Sequence, residues 1–334
     1  MQTLTPKTIP QRLQSGSHIR VVAPSSSLAR LEASLPAAEK VWRGLGYQIS
    51  YGAHVLDKPA MGPVAAQLRA ADLQEALVDP MVDAVIWGTG GAYAVELLPY
   101  LDWNLLKTAA PKVVMGMSDA TALLVPLAER LGYETYYGPV YMSALWAPHA
   151  WDYTTAAMQR VVRDSTPQVY HPSPTYKDLY SPADAPAVAN PGPSCLHPGQ
   201  MAGQILAGHI SGLVQLASVG QLPSLAGRVL CLETMAWGDM AGNDMTPSVV
   251  RQALFTLSQQ MGAADCAGLL FGRPRGCTWL PPEFIQQALA ACPVFADKPA
   301  AAQIDFGHTS PMLTLPHGRA LTADLAEDRM EIKF

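Results

Sequence analysis

A serine hydroxyl becomes a nucleophile only when a base takes its proton and an acceptor orients that base. Three segments of this chain carry those residue types. The first is Lys112-Val-Val-Met-Gly-Met-Ser-Asp-Ala-Thr-Ala-Leu-Leu124, where an apolar run stops at Gly-Met-Ser-Asp and a helical pattern begins at once. Ser118 at this junction has two readings. It caps the helix, its hydroxyl accepting from an amide two or three residues on. Or it stands on a nucleophile elbow, a sharp turn that pushes the hydroxyl clear of the backbone. The elbow pattern G-x-S-x-G is met only in part, because Ala120 fills its last place, and on local sequence alone the cap is favoured.

The other groups lie up and down the chain. The glycine loop Trp87-Gly-Thr-Gly-Gly-Ala-Tyr93 follows the preceding strand, so a parallel sheet would set it beside Ser118. Its glycines let amides approach a ligand closely, as an oxyanion hole requires; a plain tight turn is the alternative. The loop does not match G-x-G-x-x-G and no acidic ribose partner is evident, so no dinucleotide or other cofactor is expected. Among eight histidines, His18, His54, His149 and His171 lie in segments without other signals and read as surface residues. His308 follows a short apolar strand and a glycine in Ile304-Asp-Phe-Gly-His-Thr-Ser-Pro311, with His317 as its local rival. The two lack a third ligand at a recognised spacing, and there is no H-E-x-x-H, so no metal site is expected. Glu233 ends the apolar strand Arg228-Val-Leu-Cys-Leu-Glu-Thr234. It is either exposed at the tip or buried with a partner, since an unpaired buried charge is very costly. A lone ion pair is the plain alternative to an orienting role, and the order Ser, Glu, His is admissible because triads are defined by geometry.

The elements that must position these groups show one rhythm in the first half. Short apolar strands at 18–24, 47–51, 83–88 and 112–115 alternate with helical patterns at 28–45, 64–78 and 92–100. This predicts an α/β fold, a doubly wound parallel sheet of Rossmann or flavodoxin-like type, with ligands at the carboxyl ends of its strands. Residues 164–199 are dense in Pro, Ser and Ala, with Tyr170, Tyr176 and Tyr180 among them, and read as a lid or a plain connector. Beyond lie short strands at 204–206, 212–216 and 228–233, a helix near 247–260, a strand at 267–271 and a helix near 281–290. The expected organisation is an N-terminal α/β domain over 1–165, a linker over 166–200, and a smaller mixed α/β domain over 201–334.

Composition narrows the function. A chain of 334 residues that is 49% hydrophobic and 15% charged folds into compact domains. Its net charge of -5 leaves no basic footprint for nucleic acid. Cys195, Cys231, Cys266, Cys277 and Cys292 form no C-x-x-C pair and read as thiols of a reducing compartment. The N-terminus lacks a secretory pattern, and no stretch approaches the ~20 apolar residues of a membrane span, so the cytoplasm is the expected location and no membrane partner is foreseen.

In order along the chain, these segments resemble the LD-carboxypeptidase family of serine peptidases, peptidase family S66, which includes the microcin C immunity peptidases. The resemblance runs through Val22-Ala-Pro-Ser-Ser26, the glycine loop with Glu96-Leu-Leu-Pro-Tyr-Leu-Asp102, the Ser118 segment, Gly138-Pro139, the Leu-Glu-Thr end of the Glu233 strand, Gly272-Arg-Pro274, Phe306-Gly-His-Thr-Ser-Pro311 and Leu315-Pro-His-Gly318. It implies a cytoplasmic, metal-independent, homodimeric serine peptidase. Ser118 takes the place of the nucleophile, Glu233 of the orienting carboxylate and His308 of the base, with the amides of Asp119 and Gly91 as oxyanion hole.

Two departures touch substrate contacts. The family's Arg-Gly-Gly-Tyr stands here as Thr89-Gly90-Gly91-Ala-Tyr93, and its Gly-Gly-Asn-Leu as Ala207-Gly-His209-Ile210. The resemblance implies one of two substrates: murein tetrapeptide, cut at an L,D bond, or a peptidyl or aminoacyl nucleotide of the microcin C type, toward which the Gly-Arg-Pro and Phe-Gly-His-Thr-Ser-Pro segments lean. A degenerate relative that binds peptide or nucleotide without cutting it is the alternative of another class.

Overall fold

The computed structural model describes residues 4–58, 62–146, 151–164, 167–179, 181–182, 184–235, 247–274 and 281–334. His149, Tyr180 and Cys277 of the sequence reading lie outside them. The first half forms β1 (His18–Val22), β2 (Gln48–Tyr51), β3 (Ala84–Trp87), β4 (Val113–Gly116) and β5 (Tyr136–Tyr137). These pair in parallel in the order 2-1-3-4-5, the flavodoxin-like winding. Every residue of β3 and β4 is buried, as expected of strands covered on both faces. Their carboxyl ends lie side by side, which puts the glycine loop next to the Ser118 turn.

The second half adds β6 (Thr175–Asp178), β7 (Val188–Ala189), β8 (Ser194–His197), β9 (Gly199–His209), β10 (Arg228–Glu233), β11 (Gly268–Gly272), β12 (Ala300–Ile304), β13 (Thr309–Ser310), β14 (Leu315–Pro316), β15 (Ala320–Leu325) and β16 (Met330–Lys333). A mixed sheet runs β16-β15-β9-β10-β11-β12-β8, parallel from β9 to β12. β14 crosses back to pair antiparallel with β5 of the first sheet.

Alternation along β10 shows how the halves meet. Val229 and Cys231 join the apolar core shared with the first sheet. Leu230 and Leu232 point the other way, into a core with the helices Ile210–Ser218, Pro247–Ser258 and Pro282–Ala290. The two halves are therefore packed through apolar surface rather than hung on a hinge. Among the described residues no helix is long and apolar enough to cross a membrane.

Three readings of the sequence change. Residues 212–216, expected as a strand, lie within the helix Ile210–Ser218: Ile210, Leu213 and Leu216 recur every three residues and are all buried, a period that a five-residue window hides. The helix expected over 28–45 divides into a 3-10 turn, Ala29–Ser34, and the helix Leu35–Gly44, with Pro36 in its first turn. The linker carries β6, β7 and β8, and β6 pairs with β13 next to His308.

Candidate active site

Ser118 follows β4 and opens a 3-10 turn, Ser118–Ala120, that runs into the helix Thr121–Leu131. Its φ is +62°, the left-handed region that costs a non-glycine residue about 1–2 kcal/mol and that clusters at functional sites. No side chain caps either helical start, so Ser118 is not a helix cap. The Ser118 N–H donates to the Tyr137 hydroxyl at 2.8 Å, and the Thr121 hydroxyl donates to the Ser118 carbonyl at 2.7 Å. The glycine loop lies against the serine: a Cβ at Gly90 would stand 3.3 Å from Ser118 Cβ and 3.5 Å from its Oγ. Thr89 and Gly90 are half-buried and Gly91 is exposed. Asp119 is buried and accepts from the Ala94 N–H at 2.9 Å, tying the loop to the turn; burial pushes its carboxyl up against the pull of the bonds it accepts.

Glu233 closes β10 and is 2% exposed. Its Oε2 lies 2.8 Å from His308 Nδ1, and its Oε1 accepts from the Tyr137 hydroxyl. Burial alone would raise this carboxyl, but the facing His308 and His209 and the bonds from His308 and Tyr137 hold it well below the usual carboxylate range. A carboxylate only accepts, so Nδ1 of the neutral imidazole carries the proton and Nε2 keeps the lone pair a base needs. Gly307 makes this contact possible. Its φ is +96°, and a Cβ there would sit 2.7 Å from Glu233 Oε2.

His209, at the end of β9, is paired in register with Glu233. Its ring stands edge-on to that of His308, centroids 5.6 Å apart. Its Nδ1 accepts from the Ser211 N–H at 3.3 Å; an amide only donates, so the proton of the neutral ring is on Nε2. That buried nitrogen has no hydrogen-bond partner among the described residues. Burial pushes the ring down to about 4, with the His308 contribution adding to it and Glu233 opposing. Ligand atoms of His209, Glu233 and His308 lie within 4.8 Å of one another. The sequence foresaw no such grouping, because His209 comes from a departure and not from a ligand motif. A cation held through His308 Nδ1 would have to displace the proton His308 shares with Glu233. His317, the rival base, is buried elsewhere: its Nδ1 accepts from the Ala207 N–H at 3.4 Å, and burial with Arg228 and Lys7 nearby lowers it to about 3.

The His308 loop is fastened from outside. Leu179 N–H donates to the His308 carbonyl at 3.0 Å. Three residues earlier, fully buried Asp305 accepts from Arg273 at 2.7 Å, the Ser173 N–H at 2.8 Å, the Tyr170 hydroxyl at 3.1 Å and Asn190 at 3.2 Å. Arg273 also bonds Asn190 Oδ1 at 2.7 Å and the Gln303 carbonyl at 2.9 Å, and lies 4.2 Å over the Tyr176 ring. The linker is thus clasped to the loop that carries His308. Tyr170, which the sequence places in the linker, is buried in this clasp. Sequence reasoning missed Tyr137 and Asp305 and quoted Arg273 without a role; the signals were the Gly-Arg-Pro segment and an aspartate just ahead of Phe-Gly-His.

A doubly wound domain that presents a strained serine is joined here to a mixed α/β domain with a buried glutamate–histidine pair. Residues 19–138 match the LD-carboxypeptidase N-terminal domain and residues 202–322 the LD-carboxypeptidase C-terminal domain, and the chain belongs to this family, peptidase family S66. An MccF-like protein from Bacillus anthracis is 29% identical, covers 98% of this chain and 99% of its own, and superposes with a TM-score of 0.89. The microcin C7 self-immunity protein MccF of Escherichia coli is 24% identical over 79% of this chain and 77% of its own. A structure of MccF in complex with glutamyl sulfamoyl guanosine superposes with a TM-score of 0.84 at 20% identity, covering 98% of each chain. The murein tetrapeptide carboxypeptidase of Pseudomonas aeruginosa is 32% identical over 43% of this chain and 48% of its own.

Proposed function

We propose that this protein is a serine peptidase that hydrolyses an amide by acyl transfer through Ser118. His308 Nε2 takes the hydroxyl proton as Ser118 Oγ attacks the carbonyl carbon, and Glu233 holds the ring's tautomer and steadies the imidazolium. The amides of Asp119, in the first turn of its helix where N–H groups lack intrahelical partners, and of Gly91 stabilise the oxyanion. The imidazolium then protonates the leaving amine, and water releases the acyl group by the same route reversed. The observation that carries this reading is the 2.8 Å Glu233–His308 contact, joined through one tyrosine hydroxyl to a serine at φ +62°.

The substrate is a small peptide or a peptidyl or aminoacyl nucleotide, held by the Thr89–Gly90 loop and by the Nε2–H of His209, a donor for a carbonyl or carboxylate of the acyl group. The names of the relatives support both chemistries: one is a murein tetrapeptide carboxypeptidase, another was solved with glutamyl sulfamoyl guanosine. The test assays murein tetrapeptide and an aminoacyl-sulfamoyl adenosine side by side, with Ser118→Ala as control. The expected result is cleavage of at least one, falling by about a thousandfold or more in Ser118→Ala. Cleavage by Ser118→Ala at the wild-type rate rejects the assignment.

A further inference from the structure

Tyr137 belongs to neither half of the expected triad, yet its hydroxyl touches both. It lies on the two-residue strand β5, is 1% exposed, and stands opposite Gly116 in the β4–β5 register, two residues ahead of Ser118. The hydroxyl has one proton, and its direction is settled by the partners. Ser118 N–H can only donate, so the Tyr137 oxygen accepts there; Glu233 as carboxylate can only accept, so the tyrosine proton goes to Oε1. With Oε1 engaged, Oε2 is left to His308 Nδ1. One phenol therefore fixes the backbone of the strained turn in the first domain and the rotation of the carboxylate in the second.

We propose that Tyr137 is a positioning residue for the reaction, acting through Glu233 and the Ser118 backbone and not on the substrate; this rests on the Ser118, Glu233 and His308 reading above. Without the hydroxyl, the carboxylate loses the donor that sets its rotation and the Ser118 amide loses its acceptor. The triad then keeps its members and loses their alignment. Because part of the effect passes through Glu233, it should shrink once Glu233 no longer acts as a carboxylate, which a merely structural tyrosine would not show.

The test needs no knowledge of the substrate: the rate at which a fluorophosphonate phosphonylates Ser118, with fluoride leaving, is measured by mass spectrometry in wild type, Tyr137→Phe, Glu233→Gln and the double variant. Tyr137→Phe is expected to label about 10- to 100-fold more slowly, and in the Glu233→Gln background the same change adds less than about threefold. Incorporation of 3-fluorotyrosine at position 137, which keeps the hydroxyl, should restore labelling to within about threefold of wild type; it also serves if Tyr137→Phe does not fold. Equal fold-losses in both backgrounds, an unchanged rate in Tyr137→Phe, or slow labelling with the fluorotyrosine overturns the role of Tyr137. Wild type unlabelled at Ser118, or Glu233→Gln labelling at the wild-type rate, overturns the triad reading itself.

Discussion

Replacing Arg273 by Gln tests whether the linker is clasped to the His308 loop or only lies near it. Arg273 and Asp305 are 3% and 0% exposed and meet at 2.7 Å, so the change leaves a fully buried carboxylate without its cation. Breaking such a pair from one side costs about 3–5 kcal/mol. The bonds to Asn190 and the Gln303 carbonyl fall within that figure, because truncation energies of one cluster are not additive. A chain of this length has an unfolding entropy of about 0.7 kcal/mol/K, so cooperative melting should drop by about 4–7 °C. Adding Asp305→Asn removes the stranded charge while keeping an acceptor for the Ser173 N–H, and should recover about 1–3 kcal/mol. Thermal melts and denaturant titrations read both numbers, and limited proteolysis between 167 and 199 reads whether the linker loosens. If Arg273→Gln melts within about 1 °C of wild type, or if the double variant loses the sum of the single losses, the clasp does not hold the linker.

Protonation gives a second check on the buried histidines. Unfolded histidines titrate near 6.5, while folded His209 and His317 resist protonation down to about 4 and about 3. Unfolding therefore takes up protons in between, and stability is full above about pH 6.5 and falls as pH drops toward 4, by up to about 1.4 kcal/mol per pH unit per histidine. Glu233, depressed from 4.5, adds a loss only below that value. Denaturation midpoints from pH 7 to 5 should show this slope, and His209→Asn should reduce it by about half; an unchanged slope would mean the ring is not held neutral. Ser118→Gly should abolish hydrolysis yet melt no lower than Ser118→Ala, because glycine relieves the φ of +62° at a position where alanine pays about 1–2 kcal/mol; a lower melting point contradicts the strained turn. The proposed steps use no metal, so dialysis against a chelator should leave the rate unchanged, and a rate restored only by added zinc would assign the His209, Glu233 and His308 group another chemistry.

Much of the architecture is legible in local pattern. β3 and β4 are short apolar runs between amphipathic stretches, and that rhythm suffices for a parallel sheet with the glycine loop beside Ser118. What pattern cannot carry is anything set by register or by distance along the chain. Met117 and Asp119 do not announce a left-handed φ at Ser118, which is imposed by how β4 hands over to the turn. Tyr137 matters because the pairing of β5 with β4 puts it opposite Gly116, a fact with no local signature. The linker reads as loop because its strands are short and the stretches between them are rich in proline, and its order comes from Asp305, more than a hundred residues away in sequence from Ser173, Tyr170 and Asn190. His209 is legible only as a departure; its neutral Nε2–H tautomer follows from the Ser211 amide, which the chain's turn into a helix brings within reach.

Ser118 is expected to carry the acyl group during turnover. Acid quenching of the enzyme within the first turnovers on murein tetrapeptide or an aminoacyl-sulfamoyl adenosine, followed by peptide mapping, measures this directly. An acyl adduct is expected on the peptide containing Ser118, lost in Ser118→Ala together with turnover. An adduct on another residue, or turnover that persists in Ser118→Ala, would contradict it.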